Sequence, residues 1–184
     1  SAFIEKFSSD PNWYGEVTPI KNLAQPNQAF DTNGLAKDGS HWVAFNYKPF
    51  PSTFWPTNGS TGDAMIRLPK AFREQNGQYS SDVYFANLAL VEMTMKAAKN
   101  ITTIPVSEHV ISEDINGDGQ LTTQVSQVKL RSHYFGDAKN IPLSHLLYPE
   151  NTEFLHTVRY IGINDDGTVY NAPRMKEVRY MKKH

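Results

Sequence analysis

The segment SEDINGDGQLTT, in the second half of the chain, has residue types and spacing that match a known chemistry. Asp114, Asn116 and Asp118 occupy alternate positions, and a glycine follows where a calcium loop must turn sharply. Calcium takes about six to eight oxygen ligands, and a tight loop supplies them from alternate residues. The spacing therefore predicts a calcium site formed by Asp114, Asn116, Asp118 and the main-chain carbonyl of Gln120.

The same loop departs from an EF-hand at its twelfth position. A bidentate Glu is expected there, but the sequence has Val125, and a strand pattern follows instead of an exit helix. Leu121, at the eighth position, suits the apolar anchor that such loops use. A carboxylate from elsewhere would complete the site, and the candidates are Glu113, Asp137, Glu150 and Glu153. The alternative interpretation is an acidic turn before a strand.

Three histidines in the second half form the other candidate site: His133, His145 and His156. If the strands carrying His133 and His156 pair, these side chains could form a metal or acid–base cluster with nearby carboxylates. No two of them have the close spacing of a zinc motif. An enzyme that uses this cluster is therefore kept as an alternative. The chain has no cysteine, which excludes disulfides, thiol catalysis and Cys-attached haem within it.

The composition is that of one ordinary folded domain. The chain has 184 residues, is 39% hydrophobic and carries a net charge of −1, so a dedicated nucleic-acid-binding role is not expected. No apolar run is long enough to span a bilayer as a helix. The chain starts with SAFIEKF, which is neither an initiator Met nor a signal peptide. We expect a segment of a longer protein, with the other segments of that parent as its partners.

Hydrophobic patterning predicts which elements must position these groups. Residues 1–40 are rich in Pro, Asn, Asp and Gly, which favours an irregular segment packed on a domain spanning residues 41–184. The segment SSDVYFANLALVEMTMKAAKN predicts a central helix capped by Ser80 or Ser81. Its apolar residues run nearly all round, so this helix should be buried.

The remaining segments are mostly strand. QLTTQVSQVKLRSHYF and EFLHTVRYIGI are β-rich, and the Asp-Gly of INDDGTVY predicts a hairpin turn. Two short helices are predicted behind prolines, one in LPKAFREQNG and one in APRMKEVRYMKK. The sum is one α+β domain with a central buried helix, an antiparallel β-rich second half and a long irregular N-terminal segment.

Four blocks of the sequence resemble a family: FWPTNGSTGDAMIRLPKAFR, DINGDGQL, EFLHTVRY and APRMKEVRYMKK. The family consists of large, uncharacterised bacterial exported proteins whose other segments carry Cys-x-x-Cys-His haem-attachment motifs. The resemblance covers about residues 41–184. It implies a periplasmic or outer-membrane-associated location and electron transfer by the parent. Haem would then lie in the parent alone, because this chain lacks the cysteines to attach it.

These observations lead to one main hypothesis and two alternatives. The main hypothesis is a non-catalytic domain of a bacterial exported protein with a structural calcium loop at residues 114–120. One alternative is part of a cytochrome-like electron-transfer protein that packs against haem segments outside this chain. The other is the histidine-based enzyme described above.

Overall fold

The computed structural model describes residues 20–45 and 63–184, so the first half of the predicted irregular segment lies outside them. The helices are α1 (Pro26–Ala29), α2 (Ser81–Lys96) and α3 (Glu108–Ile111). The strands are β1 (Val43–Phe45), β2 (Ala64–Arg67), β3 (Glu74–Gln75), β4 (Gln78–Tyr79), β5 (Asn100–Val106), β6 (Val125–Lys129), β7 (Glu153–Ile163) and β8 (Val169–Lys182). Two 3₁₀ turns span Lys70–Arg73 and Gly136–Ala138.

Helix α2 forms the centre of the described fold. The Ser80 hydroxyl accepts a hydrogen bond from the Val83 N–H at 3.3 Å and so caps the first turn. The helix ends at Ala97, whose φ of 51° breaks the helical hydrogen-bond pattern. Ten of its sixteen residues are buried, which confirms the prediction of a central buried helix. Among them is Asn87, whose amide exchanges hydrogen bonds with the main chain of Phe135.

A four-stranded antiparallel sheet with the order β1-β2-β7-β8 packs against this centre. Its two faces meet different clusters of apolar side chains. The larger cluster includes residues of α2, β5 and β6 and extends to Ile66 and Phe154 of the sheet. The smaller cluster joins Leu155 to Phe30 and Trp42, so residues 20–45 cover the opposite face.

Arg159 ties three parts of this smaller region together. Its side chain is only 2% exposed and lies 2.6 Å from the carboxylate of Asp63. The guanidinium also donates to four main-chain carbonyls, those of Leu23, Ala24, Ala172 and Pro173. A buried guanidinium needs this many acceptors because each N–H left without a partner costs desolvation free energy.

The β5–β6 hairpin lies beside α2 and carries the acidic loop between its strands. The two strands pair through Asn100 with Lys129 and through Val106 with Val125, with an irregularity in between. Helix α3 and the acidic loop therefore both lie in the long connection between β5 and β6. The strand β5 was not among the sequence predictions, whereas β6 lies within the predicted β-rich region.

The prediction of a helix in APRMKEVRYMKK is wrong, because these residues form most of strand β8. Pro173 fits the first turn of a helix but equally fits an edge strand, where no main-chain N–H is needed for a ladder. The pairing of β8 with β7 from Glu153 to Ile163 decided between the two.

The predicted helix in LPKAFREQNG is also shortened to one 3₁₀ turn followed by the β3–β4 hairpin. Asn76 and Gly77 have φ values of 53° and 76°. Asn-Gly is the preferred pair for a two-residue hairpin turn, and here that preference overrode the helical pattern.

The predicted fold class is confirmed: the described residues form an α+β fold, with antiparallel strands dominating the second half. The division at residues 1–40 and 41–184 stays a prediction. The Asp166-Gly167 hairpin turn is present, with Gly167 at φ 83° and its N–H donating to the Asn164 carbonyl.

Candidate functional site

The acidic loop is held in shape by its own side chains. The Asp114 carboxylate accepts hydrogen bonds from the N–H of Gly117 at 2.6 Å and of Gly119 at 2.8 Å. The N–H of Gly119, more than any other group, holds the pKa of Asp114 below its ordinary value. Both glycines have φ values near 80°, a conformation that other residues rarely adopt.

Asn116 and Asp118 complete this network. The Asn116 Oδ1 accepts from the Asp118 N–H at 2.8 Å, and its amide donates to Asp118 Oδ2 at 3.0 Å. Asp118 Oδ1 accepts from the Gln120 N–H at 2.8 Å. The structure thus brings the three predicted side chains together in one turn, with Gln120 at its end.

A buried carboxylate that the sequence analysis missed supports the loop from behind. Glu108 has no exposed surface. Its Oε1 accepts from the Ile115 N–H at 2.8 Å, and its Oε2 accepts from the Thr122 N–H at 2.9 Å. The main-chain N–H of Glu108 also donates to the Thr122 carbonyl. Glu108 therefore joins both ends of the acidic loop to α3.

The signal for Glu108 in the sequence is weak. Ser107 precedes it and caps α3 through the Val110 N–H, and Asp82 of α2 accepts from the Ser107 N–H at 2.6 Å. These contacts join residues up to 25 positions apart, so a local pattern does not reveal them. An acidic residue just after a cap is normally read as a partner of the helix dipole.

The apolar anchor of the loop is Ile115, not Leu121 as the sequence suggested. Ile115 is 2% exposed, and its carbonyl accepts from the Lys129 N–H at 2.8 Å. Leu121 is 44% exposed. Residues 119–124 are exposed, and the chain returns to the core at Val125.

Three of the four carboxylates considered for completing the site are engaged elsewhere. Glu113 pairs with Arg131 at 2.6 Å. Asp137 accepts from the N–H groups of the β3–β4 turn. Glu153 accepts from Arg67 and from the Tyr180 hydroxyl. The fourth, Glu150, is exposed on the turn before β7.

A cleft lies beside the loop and has mixed charge. Its lining includes the acidic residues Glu113 and Asp114 and the basic residues Lys129 and Arg131. The Lys129 side chain lies against Gly117: a Cβ added to that glycine would be 3.1 Å from Lys129 Nζ. The loop therefore has an ammonium group of the protein as a close neighbour.

The predicted histidine cluster receives no support from the geometry. Within residues 20–45 and 63–184, no group of three His, Asp or Glu side chains is placed to hold a metal ion. His133 contacts Ser132, His145 is exposed, and His156 lies in β7 between Ala64 and Arg179. The acidic loop itself offers two carboxylates and one amide.

The most constrained histidine is His41, which the sequence analysis did not single out. Its Nδ1 lies 2.6 Å from Arg73, and its ring stacks on Tyr79 at 4.1 Å. Burial, followed by the charges of Arg73 and Arg67, lowers the pKa of His41. Nδ1 must then be unprotonated in order to accept from the guanidinium.

Comparison with known proteins relates this chain to lipoproteins. A family model described as a "-like lipoprotein" matches residues 23–184. An "Uncharacterized lipoprotein" of Aquifex aeolicus (strain VF5) is 31% identical over 190 residues, which cover 99% of this chain and 30% of that relative. The chain thus spans about a third of the relative's length. No solved structure matches.

The comparisons agree with the expectation of an exported protein and say nothing of haem-attachment motifs, so the haem part of the resemblance stays a prediction. Among the described residues, no helix combines the length and apolar character needed to cross a membrane. The match over residues 23–184 shows that the chain belongs to this family of lipoproteins, which are exported and held at a membrane.

Proposed function

We propose that this chain is a non-catalytic domain of an exported lipoprotein and that calcium binding at residues 114–120 stabilises its fold. The ligands are the carboxylates of Asp114 and Asp118, the Asn116 amide oxygen and the Gln120 carbonyl. The metal would fix the acidic loop between β5 and β6.

The observation that carries this proposal is the unused acceptor capacity of the two carboxylates. An ionised carboxylate has about four lone-pair sites. Asp114 accepts two main-chain N–H donors at hydrogen-bond distance, with the N–H groups of Asp118 and Asn116 also directed toward it; Asp118 accepts two donors, a main-chain N–H and the Asn116 amide. Among the described residues, neither carboxylate forms an ion pair with a basic side chain. Two fixed anions with acceptor capacity left, and with no basic side chain in ion-pair contact, favour a hard divalent cation.

The loop supports weak binding. It provides about four of the six to eight oxygens that calcium takes, so water would supply the rest. The missing carboxylate at the twelfth position and the nearby Lys129 ammonium both lower the affinity. We expect a Kd of roughly 0.1–1 mM, the range of extracellular calcium modules. An exported protein meets calcium concentrations at which such a site fills.

Calcium would stabilise the fold through the contacts of the loop with the core. Ile115 is buried, and Glu108 joins the loop to α3. A ligand that binds only the folded state raises the free energy of unfolding by RT ln(1 + [Ca²⁺]/Kd). At ten times the Kd this is about 1.4 kcal/mol, which is enough to raise the melting temperature by several degrees.

The test is calcium titration of the EDTA-treated protein by calorimetry and by thermal melting. The site variants are Asp114→Ala and Asp118→Ala. The matched control is Asp166→Ala, because Asp166 also lies in an exposed acidic turn and accepts from Thr168. We expect calcium to raise the melting temperature of the wild type and of Asp166→Ala, and to have no effect on the two site variants.

Two results would contradict the proposal. One is no heat and no shift in melting at millimolar calcium, which would make the segment a plain turn. The other is an equal calcium response in Asp166→Ala and Asp114→Ala. Magnesium serves as the selectivity control, because it demands a tighter octahedral shell than this open loop offers.

A further inference from the structure

The β7–β8 hairpin extends beyond the rest of its sheet. β2 pairs with β7 only from Glu153 to His156, and beyond Thr157 the described part of the chain pairs β7 with β8 alone. The hairpin continues to the turn at Asn164–Thr168. Its outer half is therefore covered on neither edge by another strand among the described residues.

One face of this hairpin carries exposed aromatic and basic side chains. Tyr160 is 45% exposed, and the Arg174 guanidinium lies 4.8 Å from the centre of its ring. Tyr170, directly opposite Gly162, is 44% exposed. A Cβ added to Gly162 would lie 2.4 Å from the Tyr170 ring, so the glycine allows that ring to lie flat across β7. Tyr160 and Gly162 are two residues apart on β7 and thus point to the same side.

The same face continues toward the end of β8. Residues opposite each other in register share a face, which places Arg179 beside His156 and Met181 beside Phe154. Met181 is 54% exposed. The exposed Leu146 and Leu147 precede Tyr148, whose ring meets that of Phe154 at 4.8 Å. We refer to Tyr160, Tyr170, Arg174, Arg179 and Met181 as the aromatic–basic face.

The exposed charged residues of β8 are all basic. Its exposed basic residues are Arg174, Lys176, Arg179 and Lys182. Its one acidic residue, Glu177, is paired with Arg179 at 2.6 Å. The two aspartates of the hairpin, Asp165 and Asp166, lie in the turn and not on the strand. The strand is therefore suited to meeting an anionic surface along its length and not by its tip.

We propose that the aromatic–basic face contacts the anionic phospholipid surface of the membrane to which the lipoprotein is anchored. Tyrosines at the level of the headgroups, together with Lys and Arg near anionic lipid, are the usual composition of such a contact. Membership of a lipoprotein family implies that the parent protein is held at a membrane, which supports this choice of partner.

Addition of a further protein strand to β8 is disfavoured by the strand itself. Pro173 removes a ladder N–H, and the register of β8 shifts opposite Arg159. Proline, bulges and exposed lysines are the features that protect an edge strand from pairing. A flat, charged surface requires no such ladder.

The experiment is co-sedimentation of the protein with two kinds of vesicle in EDTA, so that calcium cannot bridge protein and lipid. One kind is phosphatidylcholine alone, and the other is equal parts of phosphatidylcholine and phosphatidylglycerol. The charge variant is the double substitution Arg174→Glu with Arg179→Glu, the two basic residues of the aromatic–basic face. The control carries the same charge change elsewhere, as Lys99→Glu with Lys139→Glu, both exposed and outside the hairpin.

We expect binding to the anionic vesicles only, weakened by salt. The charge variant should bind at least roughly 25-fold more weakly, because each basic residue near an anionic surface contributes about fivefold. The control should bind within about threefold of the wild type. Tyr160→Ser with Tyr170→Ser should also weaken binding, and this loss should persist at high salt. If the charge variant does not fold, Arg174→Gln with Arg179→Gln is compared with Lys99→Gln with Lys139→Gln.

Several results would overturn the proposal. They are no binding to either vesicle, equal binding to both, or equal losses in the charge variant and the control. Dimerisation that depends on this face, without vesicle binding, would assign it to a second copy of the chain. The calcium proposal does not enter this test, because EDTA is present throughout.

Discussion

Replacing Glu108 by glutamine tests how much this side chain stabilises the acidic loop when no metal is bound. The carboxylate is fully buried and accepts three hydrogen bonds, from the Ile115 N–H at 2.8 Å, the Thr122 N–H at 2.9 Å and the Thr122 hydroxyl at 3.4 Å. Glutamine has almost the same shape, but one of its two acceptor oxygens becomes an NH₂ group. One main-chain N–H would then face another donor.

The expected cost follows from the lost acceptor. A hydrogen bond to a charged group contributes about 1.5–3 kcal/mol, and a buried N–H without a partner costs about 1–3 kcal/mol. The two costs partly describe the same loss and are not simply added. We therefore expect Glu108→Gln to lower the free energy of unfolding by about 2–4 kcal/mol. That is a large part of the roughly 5–15 kcal/mol by which a domain is stable.

Urea unfolding in EDTA, followed by circular dichroism and tryptophan fluorescence, measures this change. With a slope of about 2 kcal/mol per molar urea, the midpoint should fall by about 1–2 M. The control is Glu92→Gln, since Glu92 forms an exposed pair with Lys96 one turn along α2. Such pairs contribute about 0.3–0.5 kcal/mol, so the control should hardly move the midpoint.

The reasoning would be refuted if Glu108→Gln stayed within about 0.5 kcal/mol of the wild type, the range of ordinary surface substitutions. A loss in Glu92→Gln as large as that in Glu108→Gln would refute it as well, because the cost could then not be assigned to burial.

Two further predictions concern Arg159 and His41. Arg159→Met should lower the free energy of unfolding by about 3–5 kcal/mol, because it removes the guanidinium that pairs with Asp63 and donates to four main-chain carbonyls. Asp63→Asn, measured alongside by urea unfolding, should cost less, since Arg159 keeps its carbonyl acceptors. The pKa of His41 is lowered by burial and by Arg73, so the unfolded chain takes up the proton first as the pH falls. The His41 contribution to stability is therefore complete above the unfolded pKa of about 6.5 and is lost as the pH falls through the lower, folded value. His41→Asn, which tolerates the observed φ of 60°, should flatten the change in melting temperature between acidic and neutral pH, and an unchanged pH profile would contradict this.

The sequence by itself determined the features that local interactions fix. Helix α2 could be predicted because its cap, first-turn acid and apolar residues are all contiguous. The shape of the acidic loop was predictable for the same reason, since every hydrogen bond of Asp114, Asn116 and Asp118 lies within five residues. Aspartate, asparagine and glycine at alternate positions favour such turns without help from the rest of the fold.

Only the tertiary structure decided the features that depend on distant partners. Pro173 and the residues after it fit a helix or a strand equally well, and pairing with β7 chose the strand. Glu108 stabilises the acidic loop because the chain returns to it at Thr122. Arg159 joins separate segments because it donates to the carbonyl of Leu23, 136 positions away. The free energy of such contacts arises when burial removes both partners from water, and burial is a property of the whole fold and not of a short segment of sequence.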